Sequence, residues 1–296
     1  MNLEHLRAAS AEVARQDDER RIEYIRSDHW VGYTRARNAV KRIEELIKWP
    51  RKVRPPNLLI IAPTHRGKSM IFRYIIRAHQ PQPGRDAQSM AVVSMLMSEI
   101  PTVREFYKQI IVATHGVVRQ RASSSELRSV AFQILRSVGA RILMIDELHN
   151  VLPANGKERQ VILNALRAVG NELQIPIVGA GTKDAYLAIR SDPQLENRFE
   201  PLLLPRWVAD DETRSFISSY TRVLPLRKPS SIDSTPVVKY LLENSDGNVG
   251  ELIDFLNRGA QLAIESGEEC LNYDLLKEAE YRGPIQRTNL AELYMD

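Results

Sequence analysis

The sequence predicts an α/β fold, a parallel five-stranded core sheet followed by a small helical subdomain. Two observations lead there. Between Leu58 and Pro205, five short apolar segments alternate with amphipathic helical stretches, the pattern of strands covered on both faces. After Pro205 no further strand is convincing and helical periodicity takes over.

Each element carries its own signal. The first 27 residues are charged and read as helical, with "QDDERR" at Gln16–Arg21 as a solvated face. In "DHWVGYTRARNAVKRIEELIKWP", Val40, Ile43, Leu46 and Ile47 make a helical stripe that Pro50 stops. The turn "KVRPPN" leads into the first strand, Leu58–Ala62, and a helix with Ile71, Ile75 and Ile76 leads away from it. "MAVVSMLM" (Met90–Met97) is the second strand, and a helix from Thr102 ends at Gly116. The next helix opens with a serine cap and a carboxylate, and puts Leu127, Val130, Ile134 and Val138 on one face. "RILMID" is the third strand, "ERQVILNALRAVGNEL" a helix, "IPIVGAG" the fourth strand and "EPLLLP" the fifth. Helices follow at Asp210–Val223, Pro236–Asn244, Val249–Ser266 and Tyr273–Tyr281.

Composition narrows the class. The 296 residues are 43% hydrophobic, enough for a sizeable core, and the net charge of +4 fits a polyanionic partner without demanding one. With Cys270 the lone cysteine, no internal disulfide forms, and nothing has the spacing of a zinc site. No signal peptide is visible, and the longest apolar runs are too short to span a bilayer. A cytoplasmic protein is expected.

The chemistry concentrates after the first strand. Ala62, Pro63, Thr64, His65, Arg66, Gly67, Lys68 and Ser69 match the phosphate-binding loop G-x-x-x-x-G-K-[ST] at every position but the first. An apolar strand leads in and a helix leads out, so backbone amides at the helix start, through Met70, can cradle phosphate oxygens. Lys68 would place its ammonium on the β- and γ-phosphates and Ser69 would hold Mg²⁺. "RILMIDELHN" supplies the second half: Asp146 at a strand tip would bind Mg²⁺, and Glu147 would polarise an attacking water. ATP and Mg²⁺ are the ligands expected. His149, two residues past Glu147, is read as packing in a loop and stays outside the site.

This layout resembles the AAA+ ATPases from about Trp30 to Arg282. With the helical and strand pattern above, the expected organisation is an N-terminal helical extension (1–27), an AAA+ α/β core (28–208), a helical lid (209–282) and a C-terminal tail (283–296). The resemblance implies that Thr182 is the sensor-1 residue. Arg198, just before the last strand, would be an arginine finger for a neighbouring subunit's γ-phosphate, with Arg206 the rival position. One family feature is missing: in "DGNVGELIDFL", Gly250 stands where the lid arginine of a G-x-x-R would be, which puts fast hydrolysis in doubt and leaves binding intact.

Within AAA+, "HWVGYTRARNAVKRIEELI", "APTHRGKSMI", "LMIDELHNVL", "IPIVGAGT" and "NRFEPLLLPRW" together resemble TniB, the transposition ATPase related to TnsC, MuB and IstB. The resemblance implies an ATP-dependent regulator that self-associates into a ring or helical filament on double-stranded DNA. It would recruit or stimulate a DDE-type transposase, with a TniQ-like targeting protein as a further partner. Trp30 and Tyr33 would line the adenine side of the pocket. DNA contacts are expected from Arg104, Lys108, Arg119 and Arg121, after the second strand, through phosphates that carry no sequence information. A signalling or replication-initiator-like nucleotide switch and a small-molecule P-loop kinase are the alternatives. The residues after Arg282 leave no room for a winged-helix domain, which argues against the initiator.

Overall fold

The structure, a computed structural model, describes residues 2–80 and 89–292. The chain runs through α1 (Ala8–Val13), α2 (Asp18–Ile25) and α3 (Thr34–Ile47), then alternates. Its order is β1 (Asn57–Ile61), α4 (Lys68–Ala78), β2 (Val92–Leu96), α5 (Val103–Ala113), α6 (Ser124–Ser137), β3 (Ile142–Asp146), α7 (Gly156–Ala168), β4 (Ile177–Gly181), α8 (Lys183–Arg190), α9 (Pro193–Glu196) and β5 (Phe199–Leu203). Then come α10 (Asp211–Thr221), α11 (Thr235–Asn244), α12 (Val249–Glu265), α13 (Tyr273–Glu278) and α14 (Pro284–Glu292). Two compact units result: Arg35–Leu204, and Met1–Thr34 together with Pro205–Asp296.

In the first unit the five strands are parallel in the order β2-β3-β4-β1-β5, as the apolar, helix-separated segments require. The expected strands are present within a residue or two. β4 starts at Ile177 because Pro176 has no N–H to give the ladder. The register sets which ends meet. Ile61 pairs with Gly181 on one side and Leu203 on the other, and Leu96 pairs with Asp146. The loops after β1, β3 and β4 therefore open on one edge of the sheet, where ligands of open α/β sheets bind.

A large apolar cluster packs on the sheet. Leu59, Val93, Leu143 and Ile145 from the sheet bury against Phe106 and Ile110 of α5 and Ile162 and Leu166 of α7. The face of α6 differs from the expected one. Leu127, Ala131, Phe132 and Leu135 are buried, Ile134 and Val138 are half-buried, and Val130 is 40% exposed. Phe132 and Leu135 outweigh Val130 in apolar area, so the helix turns them inward.

The second unit joins the N-terminal helices to the C-terminal ones. Arg21 of α2 is fully buried and donates to Glu269, to Asp18 (2.9 Å) and twice to the carbonyl of Pro225. Glu269 also accepts from the backbone N–H of Arg227 at 3.1 Å. Residues 284–292, read from the sequence as tail, form α14, and Arg287 pairs with the buried Glu251 at 2.6 Å. The last residues of that tail, 293–296, lie outside the described residues.

Candidate functional site

The site is built where β1 runs into α4. Ala62 is fully buried, and its N–H donates to the carbonyl of Gly181 at 3.0 Å, tying the loop to the end of β4. The left-handed positions of the loop are His65 (φ 57) and Gly67 (φ 84), not Ala62. An L-alanine at the first position is therefore tolerated, and the glycine that matters is Gly67, the N-cap of α4. Pro63, Thr64 and His65 are exposed, Arg66 is buried, and Met70 is half-buried in the first turn of α4.

Lys68 is 5% exposed, and its ammonium donates to the carbonyls of Ala62 (2.9 Å) and Pro63 (2.8 Å). Burial pulls it below the ordinary lysine value, against the pull of Glu147 and Asp146, and Arg66 adds to the fall. Across β4, which separates β1 from β3, the hydroxyl of Ser69 donates to Oδ2 of Asp146 at 3.0 Å. The two residues expected to bind Mg²⁺ thus meet. Among the described residues no cluster of three or more His, Cys, Asp or Glu could hold a metal alone. One hydroxyl and one carboxylate suit Mg²⁺, which keeps waters and takes its remaining ligands from phosphate.

Glu147 follows in a left-handed conformation (φ 55, ψ 35), its N–H on Oδ1 of Asp146 at 2.9 Å. Its Oε2 lies 3.0 Å from Nε2 of His149, in the 3₁₀ turn Leu148–Val151. The sequence reading passed over this residue; the signal was its position two after Glu147. Thr182 caps α8, its hydroxyl accepting from the N–H of Asp184 at 3.4 Å.

The remaining expected residues lie on other elements. Arg198 lies at the opposite edge of the sheet, where its carbonyl accepts from the N–H of Asn57 at 2.8 Å. Its guanidinium donates to Asn171 at 2.9 Å, in the π turn Val169–Leu173. Burial, then Arg54 and Arg167, hold it below the ordinary arginine value, while Asp192 works the other way. Arg206 is ion-paired with Asp246 at 2.7 Å. Arg104 and Lys108 do not form the free basic face expected of them. Arg104 donates to the carbonyls of Ala122 (3.2 Å) and Gln120 (2.7 Å), and Lys108 pairs with Glu105 at 3.2 Å. Arg119 and Arg121, in the loop that Arg104 clamps, are exposed. Trp30 and Tyr33 belong to the second unit. Tyr33 is buried edge-on against Trp207, ring centres 4.8 Å apart, and the carbonyl of half-buried Trp30 accepts from Arg7 at 3.3 Å.

Solved structures share this architecture. The Aeropyrum pernix ORC1 protein in complex with DNA superposes with a TM-score of 0.63 and 16% identity over 87% of this chain and 68% of that one. The Aeropyrum pernix ORC2 protein, in ADPNP–ADP complexes, gives 0.57 and 14% over 86% and 71%. Among curated proteins, ORC1-type DNA replication protein 14 of Haloarcula marismortui is 22% identical over 77% of this chain. The ClpB chaperone of Meiothermus ruber is 37% identical over 26% of it. The chain spans about half of the first protein's length (56%) and 9% of the second's. A five-stranded parallel sheet with these neighbours and a phosphate-binding loop after β1 is the fold of the AAA+ P-loop ATPases. Within that class, the model of the bacterial TniB protein matches residues 21–209, and the chain belongs to the TniB family. Among the described residues no helix is long and apolar enough to cross a membrane.

Proposed function

We propose that the protein is an ATP-dependent DNA-binding regulator of transposition, which assembles on double-stranded DNA and recruits or stimulates a DDE-type transposase. The observation that carries the nucleotide site is the 3.0 Å contact between Ser69 and Asp146, which brings both halves of a phosphate-binding motif together across the sheet. Lys68, now held by two loop carbonyls, is the cation for the β- and γ-phosphate oxygens. Ser69 and Asp146 would hold Mg²⁺, which when bound neutralises charge on those oxygens. Glu147 orients and deprotonates the attacking water, and Thr182 contacts the γ-phosphate side. Arg198 would serve a neighbouring subunit. Family membership supports the transposition role, and the DNA-bound ORC1 neighbour supports contact with duplex. TniQ-like and transposase partners follow from the family reading.

A replication-initiator-like switch is the second reading, favoured by the 241-residue match to an ORC1-type protein. Electron microscopy with duplex DNA separates the two. The transposition reading expects rings or filaments on any sequence with a non-hydrolysable ATP analogue and none without it. Discrete complexes confined to particular sequences would favour the initiator. Lys68→Ala should abolish or strongly weaken ATP binding. Glu147→Gln should bind ATP and fail to hydrolyse it. Wild-type hydrolysis by both variants would show the site misassigned.

A further inference from the structure

We infer that His149 is a positioning residue for Glu147, holding one carboxylate oxygen so that the other faces the attacking water. The inference rests on the ATP-hydrolysis reading above and adds a residue to it. Glu147 is fixed from two directions: its own N–H is on Asp146 at 2.9 Å, and its Oε2 lies 3.0 Å from Nε2 of His149. A carboxylate oxygen accepts, so Nε2 must carry the hydrogen. The other ring nitrogen agrees. Nδ1 is buried and has no hydrogen-bond partner among the described residues. A hydrogen there would be a buried donor without an acceptor, a costlier arrangement than the Nε2–H tautomer, which satisfies the carboxylate.

The fold makes room for this ring. It stands against the end of β4 at Gly181, where a Cβ would come within 3.3 Å of Nδ1, 3.1 Å of the His149 nitrogen and 2.7 Å of the Ala185 Cβ. A side chain at 181 would therefore push on the His149 turn and on α8 together. The left-handed backbone at Glu147 turns the chain so that residues 147 and 149 face each other. With Oε2 anchored, Oε1 is the oxygen left to take a proton from water. The imidazole acts through Glu147 and touches no substrate.

Two measurements test this. In long-range ¹H–¹⁵N spectra of the wild-type protein, the His149 ring should show the Nε2–H tautomer, with the resonance assigned by its absence from His149→Gln. An Nδ1–H tautomer overturns the proposal, and this readout needs neither nucleotide nor a destabilised variant. In steady-state hydrolysis, His149→Ala should lower kcat by roughly tenfold or more with KM and nucleotide affinity unchanged. His149→Gln, whose amide N–H can stand where Nε2–H stood, should recover to within about threefold of wild type. Equal defects in the Ala and Gln variants, or an unchanged kcat in Ala, would overturn the positioning role. Glu147→Gln separates the two levels. If it is inactive while His149→Ala is unaffected, only the His149 role falls. If Glu147→Gln hydrolyses like wild type, both readings fall.

Discussion

Arg198 cannot serve the nucleotide site of its own subunit, and the register shows why. It precedes Phe199, which pairs with Asn57 at the start of β1, whereas the phosphate-binding loop leaves β1 after Ile61. Four residue steps at about 3.3 Å put about 13 Å of strand between those levels. The Arg198 guanidinium is already on Asn171. The same end of the sheet is crowded with cations, since Arg54 and Arg167 both weigh on Arg198. Such a cluster suits a phosphate brought by another subunit across a head-to-tail interface. Arg198→Ala should then bind ATP normally and lose roughly 10³-fold or more in kcat, the worth of an arginine finger. Mixing it with Lys68→Ala gives the decisive assay. In a random equimolar assembly, about one interface in four pairs an intact loop with an intact Arg198, so about a quarter of wild-type turnover should return. The two variants are inactive alone, so the recovered rate has no other source. Mixed oligomers that form and show no turnover would refute the trans assignment, as would an Arg198→Ala protein that hydrolyses ATP unaided.

Four further outcomes are expected. Arg21→Met should cost about 3 kcal/mol in chemical denaturation, because it strips the main partner from a buried carboxylate at Glu269. A loss below about 1 kcal/mol would class the pair with exposed salt bridges. The Glu126 carboxyl is held below the usual glutamate value by the backbone N–H of Ser123 and then by its hydroxyl. The folded pKa is the lower one, so this capping contribution is present above the unfolded pKa and is lost as pH falls through the folded one. NMR titration should show the low midpoint, and Ser123→Ala should raise it; no movement would discount the hydroxyl's share. On DNA, the Arg119→Ala/Arg121→Ala pair should weaken binding equally on every sequence and flatten the salt slope by roughly two. Arg104→Ala should instead loosen the loop carrying them, visible as faster amide exchange around Gln120–Ala122; unchanged exchange would discount the clamp.

Local motifs were legible and long-range partners were not. The loop at Ala62–Ser69 and the acidic strand end at Asp146-Glu147 were readable because each is contiguous, and strand periodicity placed them on a parallel sheet. The strand order, which seats β4 between them, lies in hydrogen bonds between distant segments. The Arg104–Lys108 pair shows the same limit. Their spacing does place them on one helix face, but periodicity cannot reveal that the carbonyls of residues 120 and 122 cover that face. The choice between Val130 and Phe132 on α6 turned on the sheet and helices it meets. His149 was passed over because its role needs a positive φ at Glu147 and the close approach of Gly181, neither visible from residue types alone.

The charge balance at the loop gives the assembly reading its physical reason. Lys68 faces Asp146 and Glu147, and burial already works against its charge. Arg66 is close enough to depress Lys68 further, so a second cation there adds repulsion before any phosphate arrives. A bound triphosphate would therefore lean on Mg²⁺ at Ser69 and Asp146, and the charge building in the transition state on whatever cation a neighbour supplies. Binding and turnover then separate cleanly. On the proposed reading, Lys68 and Ser69 would govern the first within one chain, and Arg198 the second between chains. A protein built this way would hold ATP as a monomer and spend it only when assembled, so DNA that promotes assembly should raise kcat while leaving the affinity of an isolated subunit for ATP unchanged. Stimulation that appears in KM alone, with kcat fixed, would contradict this division.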